Sequence, residues 1–102
     1  MPQFLVLAYD GTDAGAVQRR AAARDPHLDY IKPMVERREI IVGGAIFDDQ
    51  GKPIGSAVVT EFPDRAALDA WFAKDPYVLD GVWKRIEVTP MKIAVRDGKV
   101  LG

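Results

Sequence analysis

The sequence predicts a single α+β domain, with four strands in one antiparallel sheet and the helices on one of its faces. Two observations lead to this prediction. The spacing of apolar residues changes several times between a strand-like and a helix-like period, and turn or capping residues separate the segments. The chain of 102 residues is long enough for one core and too short for two. We therefore expect residues 1–102 to form one domain.

The first half of the chain indicates a strand followed by two helical segments. Phe4 to Tyr9 is an apolar run of strand length. Ala14 to Arg24 predicts a helix, and Pro26 is expected to end it, because the residue before a proline avoids helical geometry. A second helical segment runs from His27 to about Arg38. Pro33 removes one helical hydrogen bond there, so we expect a kink or a boundary.

The second half indicates a hairpin, a helix and a last strand. Glu39 to Phe47 and Gly55 to Phe62 predict two strands joined by a longer loop. Asp64 is expected to cap a helix that stops before Asp75, and Val82 to Val95 alternates like a strand. The element order is therefore β-α-β-β-α-β, which is the ferredoxin-like arrangement.

Both faces of the sheet are expected to be covered. The first strand is apolar at every position from Phe4 to Tyr9, and Ile40 to Val42 and Ala45 to Phe47 are apolar in the same way. One layer of helices covers only one face of such a sheet, so the second face needs another cover. Pairing of two sheets in a homodimer is the simplest solution, and a monomer with an exposed apolar patch is the alternative.

Composition argues against several classes of partner. The 14 basic and 15 acidic residues nearly balance, and no basic run has interleaved aromatic residues, so we expect no nucleic-acid partner. No apolar stretch reaches the length of a membrane-spanning helix, and the first residues do not resemble a signal peptide. We therefore expect no membrane partner and a cytoplasmic location. With one histidine and no cysteine, we expect neither a metal site nor a cofactor.

The candidate catalytic residues are His27 and Asp75. With no cysteine in the chain, His27 is the only side chain of a type that gains and loses a proton near neutral pH. An aspartate bonded to one ring nitrogen fixes the histidine tautomer and favours the imidazolium that forms during proton transfer. Taken separately, both residues are more often structural, at a helix start and a helix end. Both helices pack on the same sheet face, so we predict that the two side chains meet.

Four further residues are candidate substrate contacts. Arg24 lies one helical turn before His27 and either holds an anionic substrate or stands in solvent, whereas Arg20 is expected on a solvated face. Ser56 offers a hydroxyl to a substrate oxygen or caps the hairpin. Gly44 marks either a bend in its strand or a close approach of backbone to a ligand. Tyr77 lines a pocket or packs the helix end.

Several of these residues fall in segments that together resemble a known family. The segments are Arg24-x-x-His27-Leu28, Val42-Gly43-Gly44-Ala45, Gly55-Ser56-Ala57-Val58-Val59, Asp75-Pro76-Tyr77-Val78 and Gly81-Val82. Their order and spacing resemble the YciI-like, or YCII-related, family over nearly the whole chain. The resemblance implies a dimeric ferredoxin-like α+β barrel whose pocket holds a histidine–aspartate pair, here His27 and Asp75. The family is also similar to a dehydrochlorinase that acts on a chlorinated hydroxyhydroquinone.

Two functions are consistent with this sequence. The first is a small enzyme without a cofactor, in which the His27–Asp75 pair transfers a proton on a small cyclic or aromatic oxygenated substrate. Elimination, isomerisation and lyase reactions, including dehydrochlorination, need only such a base and a few hydrogen-bond donors. The second is a non-catalytic homodimer that binds a small ligand or serves as an accessory module. Loss of turnover on replacing His27, with the fold retained, distinguishes the first from the second.

Overall fold

The computed structural model describes all of residues 1–102. The four long strands are β1 (Gln3–Asp10), β2 (Ile40–Phe47), β3 (Pro53–Glu61) and β4 (Trp83–Met91). The helices are α1 (Ala16–Glu36), α2 (Arg65–Ala73) and the one-turn α3 (Pro76–Leu79). A short hairpin, β5 (Val95–Arg96) and β6 (Lys99–Val100), follows β4.

The four long strands form one antiparallel sheet in the order β2-β3-β1-β4, with the helices on one face. This confirms the predicted ferredoxin-like fold. Residues of β1 alternate between the two faces, as a strand requires. Phe4, Val6, Ala8 and Asp10 are buried under the helices, and the residues between them are half-buried on the open face. The core therefore lies between the sheet and α1, α2 and α3.

Helix α1 continues through both of its prolines, so the predicted end at Pro26 and the predicted boundary at Pro33 are wrong. Both prolines are solvent-exposed and lie two turns apart on the outer side of the helix. The carbonyl groups that lose their partners there are open to water, which lowers the cost of the missing bonds. The opposite side of α1 is held by buried Ala23 and by the packed side chains of Tyr30 and Ile31.

The glycine pair in β2 does not bend the strand. Pairing with β3 runs without a shift from Val42 to Ile46, so the bend considered for the glycine pair is absent. A Cβ atom on Gly43 would lie 3.3 Å from the Ala57 carbonyl oxygen, whereas one on Gly44 would meet no atom within 4 Å. Gly43 therefore permits close packing, and Gly44 borders open space.

Strand β4 contains a bulge that sets the direction of a tryptophan. Tyr9 pairs with Arg85, but Asp10 pairs with Trp83, so Lys84 is an extra residue on β4. If the side chains of β4 alternated strictly between the two faces, Trp83 would lie on the same face as Arg85, which is the open face that no helix covers. The bulge instead turns Trp83 toward the helices, where it is buried.

The predicted last strand, Val82 to Val95, is divided in two. β4 ends at Met91 and pairs only with β1, so Pro90 lies on an edge strand, where its missing N–H is tolerated. The chain then forms the β5–β6 hairpin. Its turn residues Asp97 and Gly98 have φ angles of 53° and 75°, the left-handed values that a two-residue hairpin turn requires.

The two shorter helices begin at aspartates that cap them. The Asp64 carboxylate accepts a hydrogen bond from the Ala67 N–H at 2.8 Å, which confirms the predicted start of α2. Asp75 caps α3 in the same way, through the Tyr77 N–H at 2.9 Å. Helix α3 was not predicted, and it fixes the backbone on both sides of Asp75. None of the helices combines the length and the apolar character needed to cross a membrane.

Candidate active site

A cavity of about 480 Å³ opens between α1 and the helix-facing side of β2 and β3. This volume lies within the range of small-molecule sites. Of its 17 lining residues 11 are hydrophobic, and its charged or titratable lining residues are Arg20, Arg24, His27 and Tyr77. No aspartate or glutamate lines the cavity. The site is therefore an apolar pocket whose wall carries two arginines and no carboxylate.

The structure brings His27 and Asp75 together at the wall of this cavity. The Nδ1 atom of His27 lies 2.7 Å from the Oδ1 atom of Asp75. The His27 side chain is 12% exposed, and the Asp75 side chain is fully buried. α1 carries the histidine, and the start of α3 carries the aspartate. The contact therefore joins two helices that are far apart in the sequence.

The hydrogen bonds of Asp75 determine which nitrogen of His27 carries the proton. An ionised carboxylate has no hydrogen to donate, so Asp75 Oδ1, which accepts the Tyr77 N–H, is the acceptor toward His27 as well. The neutral imidazole is accordingly protonated on Nδ1 and has its lone pair on Nε2. Nε2 makes no hydrogen bond within the protein and is not buried from solvent. His27 thus presents a free basic nitrogen at the cavity wall.

Aromatic rings hold the imidazole plane. The Tyr77 ring stacks on His27 with a centroid separation of 3.9 Å and an angle of 7° between the planes. Trp83 packs edge-on against both rings, with centroids 5.7 Å from His27 and 5.3 Å from Tyr77. Tyr77 and Trp83 are buried and also line the cavity. The orientation of His27 is therefore fixed by Asp75 at its edge and by Tyr77 on its face.

The Tyr77 hydroxyl is kept in its neutral form. Burial raises the pKa of Tyr77 above its usual value of 10.0, and the charges of Arg20 and Arg24 partly oppose this change. The hydroxyl donates to no protein group and is not buried from solvent. Tyr77 can thus offer a hydrogen bond to a ligand in the cavity. Arg24 is exposed at the cavity wall and makes no salt bridge.

A second polar cluster is buried beside the histidine, and it centres on Arg20. Arg20 Nη1 lies 3.0 Å from both carboxylate oxygens of Asp10, and Nη2 donates to Ser56 Oγ at 2.8 Å. The indole N–H of Trp83 donates to the same Oγ at 3.2 Å. The Arg20 guanidinium also lies over the Tyr77 ring, 5.0 Å from its centroid. The expectation that Arg20 lies on a solvated face is therefore wrong.

Two signals in the sequence point to this cluster. Asp10 follows Phe4, Val6 and Ala8 in the alternation of β1, which places its side chain on the buried face. Arg20 lies two helical turns before His27, so both occupy the same side of α1. An inward carboxylate at the end of a strand needs a buried cation, and Arg20 provides it.

The remaining site candidates also border the cavity. Ser56 is buried at the wall, and Gly44 lies at the wall with its backbone, while a side chain there would point to the open face of the sheet. No group of three or more histidine, cysteine, aspartate or glutamate side chains lies close enough to hold a metal ion. Of the six residues predicted for the site, all border the cavity except Asp75, which lies behind His27.

These features define a ferredoxin-like domain with a histidine–aspartate contact at the wall of an apolar cavity. The model of the YCII-related domain matches residues 2–92, and the chain therefore belongs to the YCII-related family. Protein YciI of Escherichia coli O6:H1 is 29% identical over 95 residues, which cover 87% of this chain and 97% of that protein.

Two solved structures share the fold. The 5-chloro-2-hydroxyhydroquinone dehydrochlorinase of Burkholderia phenoliruptrix, in complex with 2,5-dihydroxybenzoquinone, has a TM-score of 0.75 and 24% identity, and the match covers 88% of this chain and 93% of that chain. A dimeric ferredoxin-like protein of unknown function from Jannaschia has a TM-score of 0.53 and 18% identity, with coverages of 91% and 100%. At these identities, both similarities concern the fold alone.

Proposed function

We propose that this protein is a small enzyme in which His27 transfers a proton to or from a cyclic or aromatic oxygenated substrate, with Asp75 orienting the ring. The observation that supports this most is the 2.7 Å contact between His27 Nδ1 and Asp75 Oδ1, which leaves Nε2 free at the cavity wall. A positioned general base of this kind contributes roughly 10²- to 10⁴-fold to a rate.

The reaction uses side chains alone. His27 Nε2 takes a proton from the substrate, and the resulting imidazolium is stabilised by the buried Asp75 carboxylate. Depending on the substrate, the electron pair left behind expels a leaving group or moves to a neighbouring carbon. Elimination, isomerisation and lyase chemistry all begin with this step. The dehydrochlorinase with the same fold supports the choice of an oxygenated ring as substrate.

Four residues are proposed to contact the substrate. Tyr77 provides an aromatic wall and a neutral hydroxyl, Ser56 provides a second hydroxyl, and Arg24 provides a positive charge. Gly44 is proposed to contact the substrate through its backbone, which lines the cavity. A side chain at this position would point away from the cavity, to the open face of the sheet where Ala57 lies. The cavity volume accommodates one ring with several oxygen substituents.

The test is to incubate the protein with 5-chloro-2-hydroxyhydroquinone and measure chloride release, and to measure hydrogen–deuterium exchange into a panel of cyclic hydroxy-ketones and phenols. His27→Gln is expected to lower any observed rate by at least about 100-fold, the range of general base catalysis. A His27→Gln protein that is as fast as the wild type would refute the proposal. Circular dichroism of the variant shows that the fold is retained.

A non-catalytic ligand-binding role is the second candidate. It is favoured by the second contact of Asp75, which caps α3 through the Tyr77 N–H and so has a structural task as well. In that case His27→Gln lowers thermal stability and no compound of the panel is turned over by the wild type. The two candidates therefore differ in both measurements.

We also propose that the open face of the sheet pairs with a second copy of the chain. The centre of this face is apolar, with Leu5 and Leu7 of β1 next to Val59 of β3 and Val42 of β2. Val42 is 61% exposed in the single chain. The Jannaschia structure with this fold is a dimeric ferredoxin-like protein, which supports the same arrangement here.

A further inference from the structure

We propose that the buried Arg20–Ser56 pair holds a negatively charged oxygen of the ligand, so that the cavity selects phenolates or enolates over neutral molecules of the same shape. The inference deepens the proposed function, because it names the charge class of the substrate in the same cavity. It concerns binding, however, and can be tested without turnover.

The hydrogen bonds on Ser56 fix the direction of its own proton. A hydroxyl oxygen has two lone pairs and one hydrogen. Arg20 Nη2 and Trp83 Nε1 can only donate, and they occupy both lone pairs of Ser56 Oγ, at 2.8 and 3.2 Å. The Ser56 hydroxyl donates to no protein group, and Ser56 lines the cavity. The O–H is therefore a donor directed to a ligand.

Arg20 makes this hydroxyl a stronger donor. A hydroxyl that accepts a hydrogen bond from a cation is polarised, and its own proton interacts more strongly with an acceptor. Asp10 holds the guanidinium in place through both carboxylate oxygens. Arg20 thus acts through Ser56 and is a positioning residue. A negatively charged oxygen is the acceptor that gains most from such a donor.

The other charges around the cavity favour an anion as well. Its titratable and charged lining residues are Arg20, Arg24, His27 and Tyr77, of which Tyr77 has a raised pKa and a neutral hydroxyl. The two buried carboxylates of the region, Asp10 and Asp75, lie behind Arg20 and His27 and do not line the cavity. Arg24 makes no salt bridge and its charge is not balanced by a protein partner. An anionic ligand therefore meets no carboxylate at the cavity wall.

The proposed reaction requires a place in the cavity where a negatively charged oxygen is stabilised. When a base removes a proton from the carbon next to a carbonyl group, the electron pair moves to the carbonyl oxygen and an enolate forms. When the base removes the proton of a phenol hydroxyl, the oxygen becomes a phenolate. Hydrogen-bond donors fixed in advance at that oxygen stabilise the charge without reorganising. Ser56 is suited to this task because Arg20 and Trp83 fix its orientation before the ligand binds.

The test compares 4-nitrophenolate with 4-nitroanisole, a neutral molecule of similar shape, by titration calorimetry at a pH above the pKa of the phenol. In the wild type, the phenolate is expected to bind about tenfold more tightly or better, the effect of one hydrogen bond to a charged group. Ser56→Ala is expected to lower the ratio of the two affinities severalfold, because the hydroxyl donor is lost while the charge of Arg24 remains. Ser56→Thr, which keeps a hydroxyl, is expected to retain most of the ratio.

The matched control is Thr60→Val, which removes another buried hydroxyl of β3. Thr60 Oγ1 donates to the Phe4 carbonyl outside the cavity, so the affinity ratio should not change. Equal affinity of the wild type for both probes, absence of phenolate binding at millimolar concentration, or an unchanged ratio in Ser56→Ala would each overturn the inference.

Failure of the inference can be told apart from failure of the proposed function. His27→Gln abolishes proton transfer if His27 is the base, but it leaves the Arg20–Ser56 contact intact. The variant should therefore still prefer 4-nitrophenolate. A phenolate preference in a protein without any turnover supports the anion site and contradicts the enzyme. Turnover without a phenolate preference supports the enzyme and contradicts the anion site.

Discussion

The imidazole of His27 lies flat on the phenol ring of Tyr77, with 3.9 Å between the centroids and 7° between the planes. The stacking holds the ring from its face, while Asp75 holds it from its edge. Each of these contacts comes from the first turn of α3, since Asp75 caps that helix and Tyr77 follows the proline that starts it. A one-turn helix thus positions the catalytic candidate of another helix.

Removing only the Tyr77 hydroxyl should separate the packing of the Tyr77 ring from the hydrogen bond that the hydroxyl can offer to a ligand. We expect Tyr77→Phe to preserve the stack on His27 and to change the free energy of unfolding by less than about 1 kcal/mol, because the hydroxyl has no protein partner. Tyr77→Ala should cost about 3–5 kcal/mol, since it empties a buried ring site. Urea denaturation measures both. A large loss for Tyr77→Phe would show that the hydroxyl has a structural partner.

The charge of Asp75 can be separated from its role as a helix cap. Asparagine caps helices as well as aspartate does, so Asp75→Asn should keep α3 and most of the thermal stability. It should lower any His27-dependent rate by about 10²- to 10⁴-fold, because the amide can select the other tautomer and cannot stabilise the imidazolium.

The matched control for Asp75→Asn is Asp64→Asn, the same change at the cap of α2. This variant shows how much stability the change from aspartate to asparagine costs at a helix cap that contacts no histidine. We expect the two variants to melt at similar temperatures, and only Asp75→Asn to lose activity. Equal loss of activity in both would mean that Asp75 acts through the helix rather than through His27.

The ion pair between Asp13 and Arg19 should stabilise the start of α1 in a pH-dependent way. The hydrogen bonds from Arg19 lower the pKa of Asp13 from 3.8 to about 2. A lowered carboxylate pKa stabilises the fold above the pKa of the unfolded chain, and this contribution is lost as the pH falls through the folded value.

We therefore expect Asp13→Asn to be less stable than the wild type at neutral pH, with a difference that disappears as the pH falls from about 4 to about 2. Urea midpoints at several pH values measure the effect. Arg19→Gln removes the other partner and should reproduce the profile. A difference that is constant with pH would show that the ion pair is not its cause.

Sheet pairing predicts a specific effect of charge on the open face. Leu7 lies on the central strand β1 and faces away from the helices, next to Ala57 and opposite Glu87 on β4. We expect the wild type to be a dimer by light scattering and Leu7→Lys to be a monomer that keeps its helical circular dichroism signal, because burying a lysine charge in an apolar interface between two sheets opposes association.

Ala22→Lys provides the control for this experiment, since it adds the same charge on the exposed side of α1. It should leave the dimer intact. A monomeric wild type would contradict the proposed sheet pairing. A Leu7→Lys protein that remains dimeric would place the interface on another surface.

The fold was predictable because hydrophobic patterning and capping residues agree along the chain. The prediction failed where contacts between elements distant in the sequence determine the local structure. Pro26 and Pro33 are tolerated because they face water, which becomes visible only when the packed side of α1 is known. The bulge at Lys84 depends on pairing with β1, and it turns Trp83 toward Ser56 against the simple alternation of the strand.

Part of the site was also predictable from residue types and from the order of the elements. His27 and Asp75 have residue types whose chemistry is informative without coordinates, and α1 and α3, which carry them, lie on the same face of the sheet. Arg20 was missed because an arginine in a helix is usually solvated, and its burial depends on Asp10 arriving from the end of β1. Only the three-dimensional structure shows that Arg20 donates a hydrogen bond to Ser56.

The most direct test of the central claim is the tautomer of His27 in solution. Nitrogen-15 NMR of the ring is unambiguous because the chain has one histidine. At a pH where the ring is neutral, we expect a proton on Nδ1 and a bare Nε2, with this preference lost in Asp75→Asn. A proton on Nε2 in the wild type, or the same spectrum in both proteins, would contradict it.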